Sequence, residues 1–133
     1  MKAVFDTNIL IAAFLTEGLC SGLLIRARKR NFDLVLSDDI IREFKNTLTR
    51  KFKISSADVS EITSIVTEAV SEIIDKTIPI ARTCRDQDDD MIIACAVSAT
   101  ADYIVTGDED LLVLKRYKNI VIINPRNFEA LFE

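Results

Sequence analysis

Histidine and tryptophan are absent from this chain of 133 residues, which holds only 2 prolines, 3 glycines and 3 cysteines. Without histidine there is no imidazole general base, no Ser–His or Cys–His nucleophile pair and no histidine-ligated metal site. So little glycine and proline excludes a collagen-like, disordered or loop-stapled chain and favours helix. Cys20, Cys84 and Cys95 are odd in number and show no CxxC spacing, so they fit reduced thiols of a cytoplasmic protein better than disulfides or zinc ligands. No apolar run is long enough to span a bilayer, and no membrane association is expected. The apolar opening at 3–15 is broken by Asp6 and Asn8 and preceded only by Lys2, unlike an export leader. Any chemistry must therefore run on carboxylates, hydroxyls, amines, thiols or a bound ion.

What is present suits one globular domain over 1–133: 49% of residues are hydrophobic and 29% charged, enough to bury a core without staples. The net charge of -4 hides an asymmetry, with Lys and Arg concentrated in the front half and Asp and Glu in the back half. Two basic groups stand out, Arg26, Arg28, Lys29 and Arg30, then Lys45, Arg50, Lys51 and Lys53. They are expected either to contact phosphates or to serve as solvated helix faces and helix ends.

Strand and helix signals alternate. Residues 3–5 are a buried-strand run leading into Asp6-Thr7-Asn8 and a helix start, and a second helix is expected over about 21–30. Residues 34–36 form another apolar run, and Ser37 is placed to cap a helix with Ile40, Ile41, Phe44, Leu48 and Phe52 on one stripe. Ser55 with Asp58 resembles a capping box, and Val59, Ile62, Ile65, Val66, Val70, Ile73 and Ile74 continue at helical spacing. A short strand is expected at 78–80, a helix over 91–101 after the Asp88-Asp89-Asp90 run, and strands at 103–106 and 120–123. Strands apolar on both faces that alternate with helices predict a parallel sheet covered on both sides.

In such sheets ligands bind beyond the carboxyl ends of the strands. Asp6 ends one predicted strand and Asp108 follows another, so two distant carboxylates fall on the same rim. Pressed between Phe5 and Ile9, Asp6 would be partly desolvated unless a cation or donors compensate it. Glu43 falls about 60° from Ile40 around its helix and so edges the buried face. Carboxylates gathered on one rim repel, and a hard divalent ion with oxygen ligands resolves the repulsion. Each aspartate at a helix start has a plainer role as a cap or macrodipole partner.

Asp6-Thr7-Asn8 after the first strand, Glu43 within 37–44, Asp86-Gln87-Asp88-Asp89-Asp90 leading into Ala94-Cys95-Ala96, and Thr106-Gly107-Asp108-Glu109-Asp110 together resemble a PIN domain, in particular the VapC-type toxins of toxin–antitoxin pairs. The resemblance covers nearly the whole chain. It implies an α/β fold, a three-layer α/β/α sandwich with a central parallel sheet, and a Mg²⁺- or Mn²⁺-dependent endoribonuclease. Carried over, the catalytic and metal-binding quartet is Asp6, Glu43, Asp89 and Asp108, with Asp90 the alternative to Asp89. Asn8, Thr106, Asp110 and Asp86 match supporting positions. The implied partners are single-stranded or structured RNA, an antitoxin protein and a second copy of the chain, with Arg26, Arg28, Lys29 and Arg30 as RNA contacts.

Three other readings share parts of the pattern. A phosphate-signalling receiver domain wants an adjacent acidic pair after the first strand, where this chain has Asp6 alone, and a haloacid-dehalogenase-like phosphatase wants Asp where Asn8 stands. A catalytically silent PIN fold that only binds a partner would not need the acidic quartet.

Overall fold

The computed structural model describes residues 1–80 and 87–133, so Cys84 and the predicted supporting residue Asp86 lie outside the described residues. Strand β1 (Lys2–Phe5) lies inside a six-stranded sheet. On one side stand β2 (Asp33–Ser37) and the edge strand β3 (Val70–Ile74), on the other β4 (Tyr103–Val105), β6 (Ile120–Ile123) and the two-residue β5 (Arg116–Tyr117). Every neighbouring pair is parallel except β5 and β6, which form an antiparallel hairpin. Helices α1 (Thr7–Leu15) and α2 (Leu19–Arg28) join β1 to β2, α3 (Asp38–Arg50) and α4 (Ser56–Ala69) join β2 to β3, and α5 (Gln87–Ala99) lies between β3 and β4. The short α6 (Glu109–Leu112) follows β4, and α7 (Pro125–Ala130) follows β6.

From β1 the chain builds outward through β2 and β3, then returns to place β4 on the other side of β1. Crossovers between parallel strands are right-handed, so reversing direction along the sheet puts α5 on the face opposite α1 to α4. The result is the expected three-layer sandwich. The reversal also makes the carboxyl ends of β1 and β4 a topological switch point, where the loops part and leave a crevice.

The centre of the sheet is buried, with Val4, Leu34, Val35, Leu36, Ile104 and Val105 inaccessible to solvent. Helix α3 begins where Ser37 accepts the N–H of Ile40 at 3.2 Å, and it buries Ile40, Phe44 and Leu48 at helical spacing. Helix α4 begins where Ser55 accepts the N–H of Asp58 at 3.2 Å.

Four expectations are corrected. The helical run from Val59 stops at Ala69, and Val70, Ile73 and Ile74 belong to strand β3, with Val70 paired to Leu34. β-branched residues satisfy both periods over so short a run, and an unpaired edge of β2 was there to be filled. No regular element forms at 78–80. Phe52 leaves the α3 stripe because that helix ends at Arg50, and Lys53 then turns left-handed at φ 56°. Finally, α5 begins at Gln87 rather than 91, so Asp88, Asp89 and Asp90 form its first turn, where negative charge meets the positive helix end. Helix α7 and strand β5 were not foreseen.

Among the described residues no single helix is long and apolar enough to cross a membrane, and α1 with α2 reach that composition only as a pair bent by 102°.

Candidate active site

Register builds the site. Phe5 of β1 pairs with Val105 of β4, and the N–H of Asp6 donates to the Val105 carbonyl at 3.2 Å, so the next residues on each strand, Asp6 and Thr106, stand side by side. Asp6 is 6% exposed and caps α1, its Oδ1 accepting the N–H of Ile9 at 2.9 Å. The hydroxyl of Thr106, itself inaccessible, donates to Asp6 Oδ2. The same hydroxyl oxygen accepts the N–H of Asp108 at 3.0 Å, and Asp108 Oδ1 accepts the N–H of Asp110 at 2.9 Å as the cap of α6. One hydrogen-bonded path thus ties the ends of β1 and β4 together.

Helix α5 contributes from the other layer. Successive residues project about 100° apart, so Asp88 is exposed, Asp90 half-buried and Asp89 only 7% exposed. Of the two sequence alternatives it is Asp89 that lines the pocket. Carboxylate oxygens of Asp89, Asp108 and Asp110 all lie within 4.8 Å of one another. Glu43, half-buried on α3, lines the same pocket with Thr47, whose hydroxyl donates to Glu43 Oε1 at 3.4 Å. The pocket is about 120 Å³, with Asp6, Glu43, Asp88, Asp89 and Asp108 supplying carboxylates and Thr7, Asn8, Thr47 and Ile92 completing the wall.

Asp6 lines this pocket but stands outside the tight triad, and its two oxygens accept from the Ile9 N–H and the Thr106 hydroxyl. Asp110, expected in a supporting position, is inside the triad. Burial pushes the Asp6 carboxyl above its ordinary range, the Thr106 hydroxyl and the Ile9 N–H partly offset this, and the charge of Asp108 raises it further. Burial also raises the Cys20 thiol, with a contribution from the charge of Asp6. Cys95, wholly buried in α5, is pushed up to about 12, chiefly by burial, and is inert as a nucleophile.

Among the described residues the donor set is all hard oxygen, with neither sulfur nor nitrogen ligands in the pocket wall. That suits Mg²⁺ or Mn²⁺ and disfavours zinc or copper, so the residues present fit a hard divalent cation. Asp88 and Thr47 were missed from sequence. Asp88 was hidden by placing the helix start too late, whereas Thr47 carried a usable signal, its i+4 spacing from Glu43.

The basic cluster lies elsewhere. Helix α2 runs into the start of β2, and Lys2 pairs with Asp33, so Arg26 to Arg30 occupy the amino end of the sheet, opposite the acidic rim. Arg26 forks onto Glu129 at 2.6 to 3.0 Å and covers the Phe132 ring at 4.9 Å, while Arg30 donates to the carbonyls of Ala69 and Glu68. Arg28 and Lys29 remain exposed, with Arg28 3.9 Å from Glu68.

Sheet order, switch-point crevice and gathered carboxylates together define an α/β protein with an acidic, cation-attracting cleft. The chain belongs to the PIN domain family, whose model matches residues 2–110 and so spans β1 through the Asp110 carboxylate. The crystal structure of VapBC2 from Rickettsia felis, bound to a DNA fragment from its promoter, is similar to it in fold. The match has a TM-score of 0.64 at 17% sequence identity and covers 93% of this chain and 98% of that one. No curated protein matches the chain in sequence.

Proposed function

We propose that this protein is a Mg²⁺- or Mn²⁺-dependent endoribonuclease, a hydrolase of RNA phosphodiester bonds, and the toxin of a VapBC-type toxin–antitoxin pair. The observation that carries the reading is the convergence of Asp89, Asp108 and Asp110 within 4.8 Å, beside Asp6 and Glu43, at the switch point of the sheet. Asp89, Asp108 and Asp110 would hold the cation, with Asp6 and Glu43 on its open side.

A divalent ion bound there supplies charge neutralisation for the scissile phosphate and lowers the pKa of water at the site. The chain's own residues do the rest. Thr106 and the Ile9 N–H hold Asp6 in one orientation, and the α6 cap holds Asp108, so the donors are arranged before any ligand arrives. Glu43, on the wall of the same pocket, would accept a proton from the attacking water. Asn8, exposed at the pocket wall, can donate to a phosphate oxygen. No imidazole is needed for this chemistry.

The likeness to VapBC2 supports a partner protein of antitoxin type, and the reading places the protein's action in the cytoplasm, where RNA is found, with a second copy of the chain as a further partner. The position of Arg26 to Arg30 away from the pocket favours phosphate contacts from other residues.

The test is cleavage of single-stranded and structured RNA by the purified chain with Mn²⁺ or Mg²⁺. Cleavage is expected to stop on chelation and to fall by orders of magnitude in Asp89→Asn and Asp108→Asn. Cleavage that survives both chelation and these substitutions would overturn the reading, and no cleavage by the parent under any metal would leave a PIN fold that only binds.

A further inference from the structure

The threonine hydroxyls at the ends and along the flanks of these helices follow one habit. Thr16 donates to the carbonyl of Ala12 at 2.7 Å, Thr49 to that of Lys45 at 3.0 Å, Thr63 to that of Val59 at 2.7 Å and Thr67 to that of Thr63 at 2.8 Å. The carbonyl four residues back is the ordinary partner of a helical threonine. Thr47 departs from it. Its hydroxyl donates to the side-chain Oε1 of Glu43 at 3.4 Å, and both residues line the acidic pocket. A hydroxyl carries one proton, so bonding the carboxylate forgoes the carbonyl.

We infer that Thr47 is a positioning residue, which holds the Glu43 carboxylate toward the pocket and so strengthens the site's hold on a divalent cation. This rests on the proposed function for the identity of the site and adds a residue to it. The backbone of α3 is already fixed: Phe44 is wholly buried and its ring lies 6.2 Å from that of Phe14 on α1. The Glu43 carboxylate, at the end of three rotatable bonds, is not fixed by the backbone. Among the described residues it forms no salt bridge, so no cation orients it. A donor one helical turn away, at 3.4 Å, selects among its rotamers. Glu43 lines the same pocket as Asp6, Asp89 and Asp108.

The experiment is calorimetric titration of the full chain with Mn²⁺, comparing the parent with Thr47→Val, Thr47→Ala and Thr47→Ser, each repeated in a Glu43→Ala background. Thermal melting without metal verifies that each variant is folded, and Thr47→Ala stands in if the valine disturbs the helix packing. Thr47→Val is expected to weaken Mn²⁺ binding about three- to tenfold, the worth of one hydrogen bond. Thr47→Ser, which keeps the donor, should match the parent. In the Glu43→Ala background Thr47→Val should change nothing further, because the residue acts through Glu43. Parent-like binding by Thr47→Val and Thr47→Ala, or a loss that persists without Glu43, overturns the inference while leaving the proposed function standing. A parent that takes up no Mn²⁺ overturns both.

Discussion

Thr106 and Asp6, 100 residues apart in the chain, share a buried hydrogen bond in which the threonine hydroxyl donates to the carboxylate while its oxygen accepts the N–H of Asp108 at 3.0 Å. One small side chain therefore orients two of the acidic groups at the rim. It can do so because the parallel register of β1 and β4 brings both strand ends level.

Thr106→Val keeps the shape but leaves the Asp6 carboxylate short of a donor in a buried place. The expected loss of stability is about 1–3 kcal/mol, the cost of an unsatisfied buried polar group. Urea unfolding of the metal-free protein measures it, and Thr106→Ser should recover most of the loss. Equal midpoints for parent and Thr106→Val would show that the bond contributes nothing to folding.

The raised Asp6 pKa sets the sign of a pH effect. A carboxyl whose folded pKa lies above its unfolded value of 3.8 contributes stability that is fully present below that value and is lost as pH rises through the folded pKa. Asp6→Asn, which can still cap α1, escapes this loss. Without metal it should melt higher than the parent at neutral pH, the gap narrowing as the solution is acidified. With Mn²⁺ the gap should shrink, since both forms keep the Asp89, Asp108 and Asp110 triad but the parent, with the Asp6 charge on the pocket wall, gains more from the cation. A gap that is constant between pH 3 and 7 would remove Asp6 as its source.

Glu43 borders the α3 stripe without joining it, so its charge is expected to serve the pocket rather than the fold. In Glu43→Gln the melting temperature without metal should equal or exceed that of the parent, while metal-dependent RNA cleavage falls by orders of magnitude. Side-by-side melts and cleavage assays decide this, and unimpaired cleavage would reduce Glu43 to a wall residue.

Thr100, exposed just after α5, holds a left-handed backbone at φ 51°, an unfavourable conformation for a β-branched residue. Thr100→Gly should stabilise the protein by about 0.5–1 kcal/mol, relief of left-handed strain less the entropy glycine brings to the unfolded chain. Chemical denaturation at neutral pH is the measurement, and a destabilised variant would indicate that the Thr100 side chain makes a contribution of its own.

Much of the fold was legible because the central strands carry their own signal. The runs ending at Phe5, Leu36 and Val105 are apolar on both faces, as only strands covered on both sides need be, and Ser37 and Ser55 announced their helices through side-chain caps. At the edge the signal fails. Val70 to Ile74 pairs on one side only and carries exposed Ser71, Glu72 and Ile73, so nothing distinguished it from a further turn of α4. Helix α7 could have been found from Asn124 as its cap and Pro125 in its first turn. At the site, Asp6, Glu43 and Asp108 stood out one by one, because strand ends and helix stripes are local features. That Asp110 rather than Asp6 closes the tight triad is set by distances between the start of α5 and the α6 turn, which no local pattern in the sequence carries.

The placement of β1 between β2 and β4 also has a bearing on how the chain comes into being at the ribosome. Asp6 emerges long before its partners, for its strand gains its second neighbour only when residues 103–105 are available, and the fork between Arg26 and Glu129 spans 103 residues. Contacts so distant in sequence close late, after the entropy of a long loop has been overcome. A growing chain thus carries Asp6, Glu43 and Asp89 without the rim that unites them, and the cleft acquires its form only once Thr106 and Asp108 have been added and have docked.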